Sequence, residues 1–262
     1  MIENAHNNYI YGKNPVFEVL TNNPKRVNKI YIQKGISFDN RLKKIIDLAN
    51  LNKIIIQYTN LQKFNEYFEE KPNFQGVVVS VAPVEYIELD EFLEIEKEGY
   101  KKIIILDGVS DPHNFGAIIR TAAAAGFDGV MVSNHRSCPI SATVEKISSG
   151  AINHISIIKT TSLNASIDLL KKRDFWVIAT QMEARDNYYE IDYTDMNFAL
   201  VMGSEGSGIS KTILNKADFT VKLESNFESL NVSAATAVIA YEAVRQINIK
   251  KRNSWLKSKN NV

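Results

Sequence analysis

Residues 103–120 read Ile103-Ile104-Ile105-Leu106-Asp107-Gly108-Val109-Ser110-Asp111-Pro112-His113-Asn114-Phe115-Gly116-Ala117-Ile118-Ile119-Arg120. Four consecutive apolar residues form a strand buried on both faces, and the polar stretch after them is a loop that runs into a helix ending at Gly126. Continuous apolar runs recur at Gly129-Val130-Met131-Val132, Ile155-Ser156-Ile157-Ile158, Phe175-Trp176-Val177-Ile178 and Phe198-Ala199-Leu200-Val201-Met202. Helical stretches separate them, which argues for a parallel sheet covered on both sides, and so for an α/β fold.

The chain before this sheet has a different texture. Asn14-Pro15 reads as an N-cap with proline at the first helical position, followed by the apolar face Val16, Phe17, Val19 and Leu20. Ile30 and Ile32 alternate with polar neighbours as in a half-buried strand, and Leu42, Ile45, Ile46 and Ala49 follow Asp39 at helical spacing. The pattern repeats, with a strand at 53–56, a helix after Thr59 carrying Leu61, Phe64 and Phe68, and a buried strand at 76–81. A small N-terminal α/β domain over 1–82, an acidic linker over 83–99 with a short amphipathic segment at Phe92, Leu93 and Ile95, and a parallel-sheet domain over 100–262 follow as expectations.

Composition narrows the function classes. The 262 residues are 45% hydrophobic and 23% charged, as in ordinary globular proteins. No apolar run approaches the roughly 20 residues that span a bilayer, and no secretory leader opens the sequence, so a cytoplasmic protein is expected. One cysteine, Cys138, excludes an internal disulfide framework, and four scattered histidines offer no zinc spacing, so no metal is expected. The net charge of +1 hides an uneven distribution. Residues 1–60 hold nine Lys/Arg against four acids, residues 61–100 three against ten, and the stretch after Arg245 adds Lys250, Lys251, Arg252 and Lys257 without an acid. That last stretch reads as a solvated tail or as a phosphate-contacting one.

Ligands of open parallel sheets bind beyond the carboxyl ends of the strands, which directs attention to three segments. In the first, residues 107–120, Asn114 and Arg120 are candidates, although Asn114 also suits a helix cap and Arg120 a surface ion pair. The second, Met202-Gly203-Ser204-Glu205-Gly206-Ser207-Gly208, has glycines that let backbone approach a ligand, but it lacks the Lys-Ser/Thr ending of a P-loop and the spacing of a dinucleotide fingerprint. Glu205 there could equally cap the next helix. The third, residues 228–242, is a Ser229-Leu230-Asn231 turn leading into an Ala-rich helix, whose Val232, Ala235, Val238 and Ile239 read as packing positions.

Together and in this order, the three segments resemble the signature motifs of the SpoU family within the SPOUT superfamily of RNA methyltransferases. Ile10-Tyr11-Gly12 and Phe74-Gln75-Gly76 resemble the N-terminal substrate-binding domain of RlmB-type rRNA methyltransferases, where a histidine often stands at the position of Phe74. The resemblance implies a C-terminal trefoil-knotted domain, an exception to unthreaded topology. It also implies S-adenosylmethionine as methyl donor, bound at Thr180, Gly203, Leu223 and Leu230, and a homodimer through the knotted domain. Catalytic roles pass to Asn114, Arg120, Glu205, Ser229 and Asn231 in methyl transfer to a ribose 2′-hydroxyl of RNA, with a guanosine of 23S rRNA as the expected target and DNA excluded.

Three alternatives compete: a tRNA ribose methyltransferase of TrmH type, which would lack the N-terminal domain, a thiostrepton-resistance rRNA methyltransferase, which would carry one, and a non-catalytic ribosome-assembly factor. Retention of Asn114, Arg120, Glu205 and Asn231 argues against the last.

Overall fold

A computed structural model describes residues 9–60, 73–135, 137–226 and 228–259, so the expected helix with Leu61, Phe64 and Phe68 lies outside the described residues. The chain forms two compact units, one holding the residues up to Glu85 together with Pro139–His154, the other holding Tyr86–Cys138 and Ile155–Val262.

The first unit carries β1 (Tyr9–Tyr11), α1 (Lys13–Asn22), β2 (Val27–Gln33), α2 (Asn40–Leu51), β3 (Ile55–Thr59) and β4 (Val77–Val81). Its sheet runs β1-β4-β2-β3, with β2 and β3 parallel and the other pairs antiparallel. Val16, Val19 and Leu20 of α1 and Leu42, Ile45 and Ala49 of α2 pack on Ile30, Ile32, Val77 and Val79 from one face of that sheet. Asp39 caps α2 by accepting from the Leu42 amide at 2.8 Å. The start of α1 differs from the expected one. Gly12 is its N-cap at φ +90°, a conformation open to glycine, and Asn14 sits inside the first turn, where its Oδ1 accepts from Arg41 Nε at 3.0 Å. The orphan Lys13 amide donates to Gln75 Oε1 at 2.9 Å and the Gly12 amide to Val77 O at 3.0 Å. The motif residues Gly12 and Gln75 therefore cap a helix from a distant turn, which local reading assigned to Asn14. Likewise β3 begins two residues later than expected, because Lys53 turns at φ +56°.

Residues 139–154, expected within the second domain, pack with the first unit. Here α5 (Ala142–Ser148) lies against β1, with the Lys146 ammonium 5.3 Å from the Tyr11 ring. The anchor is Arg26, only 7% exposed. Its guanidinium donates to Ala82 O at 2.9 and 3.0 Å, to Asn153 Oδ1 at 3.0 Å and to both Glu145 carboxylate oxygens at 3.1 and 3.3 Å. Burial pushes the Glu145 carboxyl above its ordinary range, against the opposing pull of Arg26.

The second unit is a seven-stranded sheet in the order β7-β6-β5-β10-β8-β11-β9, with parallel pairing throughout. Its strands are β5 (Lys102–Asp107), β6 (Gly129–Ser133), β7 (Ser156–Thr160), β8 (Phe175–Thr180), β9 (Asp186–Asn187), β10 (Asn197–Gly203) and β11 (Phe219–Lys222). The five apolar runs read from sequence are all strands of this sheet, and their side chains fill its core. Strands β11 and β9, the last two on one side of the sheet, carry mixed, partly buried residues and lack the continuous apolar signal. The segment expected as linker is packed chain from Tyr86 onward. Ile87 pairs with Ile158, and Leu89 and Phe92 of α3 (Leu89–Glu94) are buried among Ile103, Met131 and Ile158. Helices α4 (Pro112–Ala124), α6 (Leu163–Lys172), α7 (Lys211–Leu214) and α8 (Val232–Lys259) complete the unit, and α4 packs on α8. The basic stretch after Arg245 is helical through Lys259, with Lys250 paired to Asp195.

A Cβ on Gly203 would run into the Gly208 carbonyl carbon and stand 2.5 Å from the Ile209 nitrogen, so the chain returning after β10 needs a glycine there.

Two stability predictions follow from these contacts. Arg26→Met should cost about 3–5 kcal/mol, because it strands a buried carboxylate. With only burial acting, the folded-state pKa of Glu145 lies above its unfolded value, so the penalty is absent below the ordinary glutamate range and grows as pH rises. Denaturant unfolding should therefore show a larger loss near about pH 8 than near about pH 5, and a loss independent of pH would remove Glu145 as its cause. Gly203→Ala should cost about 1–3 kcal/mol in the same assay through overpacking against the 208–209 backbone, and an unchanged midpoint would contradict the close approach.

Candidate active site

At the carboxyl edge of the sheet, β5 and β10 lie side by side with Gly203 opposite Asp107. The chain leaving β5 is turned into α4 by Asp111, whose carboxylate accepts from the Asn114 amide at 3.0 Å, with Pro112 at the first helical position. Asp111 thus takes the capping role that the sequence also allowed for Asn114, and the Asn114 side chain is left to reach across to other loops.

The chain leaving β10 is pinned into a tight loop. Ser204 and Gly208 exchange backbone hydrogen bonds of 3.2 and 2.9 Å, and the Ser204 and Ser207 hydroxyls lie 2.7 Å apart. Glu205 projects from this loop. Its Oε1 accepts from Asn114 Nδ2 at 3.2 Å and from Asn231 Nδ2 at 2.5 Å, while Asn231 Nδ2 also donates to Asn114 Oδ1 at 2.9 Å. Asn231 itself is fixed at the start of α8, where its Oδ1 accepts from the Ser233 amide at 2.9 Å and hydroxyl at 2.6 Å. Three residues from three segments, 91 and 26 positions apart, close one hydrogen-bonded triangle. The three bonds fix the orientation of all three side chains, and Glu205 does not act as a helix cap.

Arg120 and Ser229 lie outside the triangle. Arg120 is exposed on α4, about 240° round the axis and about 9 Å along it from Asn114, while Ser229 is exposed on the turn before Asn231. The expected cofactor positions occupy the neighbouring strand ends. Thr180 closes β8, Gly203 closes β10 and Leu223 follows β11, in three adjacent strands. The Thr180 hydroxyl donates to Val201 O at 3.2 Å, and Leu230 is 47% exposed. Among the described residues no group of three His, Cys, Asp or Glu side chains is placed to hold a metal ion.

Sequence reasoning missed a cavity of about 520 Å³ at the ends of β6, β5 and β10. Asp107, Ser110, His135, Ser137, Ser204 and Ser210 are among its lining residues. The strand-end rule covers 134–137 after β6, but no motif there drew attention to His135.

Comparison with known proteins accounts for both units. Residues 101–241 match the SpoU rRNA Methylase family, and residues 9–87 match the RNA 2'-O ribose methyltransferase substrate binding domain. A Staphylococcus aureus relative named as a TrmH family tRNA/rRNA methyltransferase is 40% identical over 90% of this chain and 95% of its own. The structure of an AdoMet-bound rRNA methyltransferase from Sinorhizobium meliloti superimposes with a TM-score of 0.76 at 21% identity, over 93% of this chain and 88% of that one. A TrmH/SpoU tRNA-modifying enzyme of A. aeolicus is 33% identical with a TM-score of 0.53, over 63% of this chain and 84% of that one. A family match across most of the sheet unit, joined to a relative alike over nearly the whole sequence, identifies the chain as a member of the SpoU family and its activity as RNA methylation.

Proposed function

We propose that the protein transfers a methyl group from S-adenosylmethionine to a ribose 2′-hydroxyl of RNA, with a guanosine of 23S rRNA as target. The observation that carries this reading is the triangle of Asn114, Glu205 and Asn231 at the carboxyl edge of a parallel sheet. The AdoMet bound by the Sinorhizobium meliloti neighbour supports the donor. So does the local arrangement, since Thr180 stands between Gly203 and the residue that precedes Leu223 at the ends of three adjacent strands. The match of residues 9–87 to a substrate-binding domain supports rRNA over tRNA, because the tRNA-modifying neighbour corresponds to 63% of this chain and the rRNA enzyme to 93%.

S-adenosylmethionine supplies an electrophilic methyl on a sulfonium. The protein has to orient a weakly nucleophilic hydroxyl in line with it and take up its proton. Asn114, Glu205 and Asn231 hold one another rigidly enough to orient the ribose, and Ser229 lines the same approach. The role of the Arg120 guanidinium is to grip an RNA phosphate and to stabilise developing alkoxide charge, with proton release relayed onward. A threaded trefoil around β10 is part of this reading, as is a cytoplasmic location, where rRNA is made.

A homodimer is also part of it. Met182, Tyr189, Leu230 and Tyr241 of the sheet unit are 64%, 50%, 47% and 51% exposed, apolar surface that a second copy would cover.

Mapping ribose methylation across rRNA and tRNA with and without the protein tests the function directly. Methylated tRNA and untouched rRNA would transfer the reading to a TrmH-type enzyme. Arg120→Ala should lower methyl transfer about 100-fold or more while S-adenosylmethionine affinity stays within about twofold, as measured by tritium transfer and calorimetry. Substantial turnover would remove Arg120 from the mechanism. Sedimentation at micromolar concentration should give a dimer, and an active monomer would contradict the shared surface.

A further inference from the structure

The cavity beside the triangle has no part in the methyl-transfer chemistry derived above. It opens at the ends of β6, β5 and β10, whereas Thr180, Gly203 and Leu223 stand at the ends of β8, β10 and β11. Both sites reach the end of β10, the cavity from the side of β5 and β6 and the expected cofactor positions from the side of β8 and β11. Its volume of about 520 Å³ falls in the range of about 300–1,000 Å³ typical of small-ligand sites.

The lining is short and polar, and one of its hydroxyls is left without a partner. Ser210 Oγ is buried with no hydrogen-bond partner, although its amide donates to Asp107 Oδ2 at 2.8 Å. A buried hydroxyl without a partner calls for an explanation, and a ligand that bonds to it is one. Ser110 is exposed at the rim, and the exposed His135 ring stands at the opposite loop. Serine hydroxyls both donate and accept, a neutral imidazole does the same at its two nitrogens, and a histidine ring stacks on a base. The adenine of S-adenosylmethionine would find no large apolar side chain here, in contrast to Leu223 and Leu230 on the other side.

We infer that this cavity receives a single nucleotide of the RNA, drawn out of its stack, with its base held by His135, Ser110 and Ser210 and its ribose carried to the Asn114–Glu205–Asn231 triangle. This assigns to the cavity the choice of which nucleotide is methylated. It rests on the reading of the chain as an RNA ribose methyltransferase.

The test compares the full-length protein with His135→Ala and with Ser210→Ala, which removes the buried hydroxyl at almost constant volume. Saturation-transfer NMR with AMP, GMP, CMP and UMP, together with methyl-transfer kinetics and calorimetry with S-adenosylmethionine, supplies the readouts. Wild type should bind one monophosphate in preference to the others. Each variant should weaken that binding and raise the KM for RNA about tenfold, as expected for one lost hydrogen bond, with donor affinity within about twofold. Variants that lower donor affinity instead would assign the cavity to the cofactor, and variants with unchanged nucleotide binding and KM would leave it without a role; either result overturns the inference. If wild type methylates no RNA ribose, the functional reading fails. The nucleotide titration then still decides the cavity, since binding lost in the variants sustains it and absence of binding in wild type overturns it.

Discussion

Strand β10 lies between β5 and β8 in parallel register, with Gly203 beside Asp107 and Val201 beside Ala179. Parallel pairing forces all three strands to end on the same edge, so the loops after Asp107, Thr180 and Gly203 emerge side by side although they are far apart in sequence. The apolar runs that make the strands can be buried on both faces only because helices cover the sheet on either side. The expected cofactor positions, the triangle and the neighbouring cavity all depend on this arrangement. The close return of the chain over Gly203 then fixes how far from the strand end Glu205 can stand.

Helix capping does a second job at this edge. Asp111 satisfies the first turn of α4, which releases the Asn114 amide group, and Asn231 uses its carbonyl to hold the start of α8 while its amino group binds Glu205 and Asn114. An asparagine can divide itself in this way because its two ends are an acceptor and a donor. Replacing Asn231 by aspartate would keep the cap and put two carboxylates in contact, whereas glutamine would lengthen the reach and lose the cap. The residue type is therefore constrained from both sides.

Arg26 shows how the N-terminal unit holds a stretch of chain that belongs by sequence to the sheet domain. Its guanidinium donates to Ala82, Asn153 and Glu145, so residues 139–154 are tied to the rest of the first unit through buried and part-buried bonds. Breaking the chain at residue 82 or 85 would strip Glu145 of its cation and leave a buried carboxylate unpaired. The first unit thus includes residues 139–154, and truncation is a poorer probe of RNA recognition than substitution of surface cations.

Periodicity and apolar runs determined the α/β class and five strands of the large sheet, because a strand buried on both faces leaves a mark in a single stretch of sequence. The candidate residues Asn114, Glu205 and Asn231 were visible as polar positions after those strands, and likeness to the SpoU motifs selected them over the capping roles each could also fill. Tertiary structure decided what no local pattern encodes. The cap of α1 comes from Gln75, the partner of Arg26 from residue 145, and the strand Phe219–Lys222 from pairing with β8 and β9 rather than from its own composition. His135 and Ser210 meet across one cavity only because β5, β6 and β10 end together. Local sequence records which backbone conformations and which burial a segment prefers. The partners of an isolated polar side chain depend on the register of distant strands, and that register is set by the packing of the whole sheet.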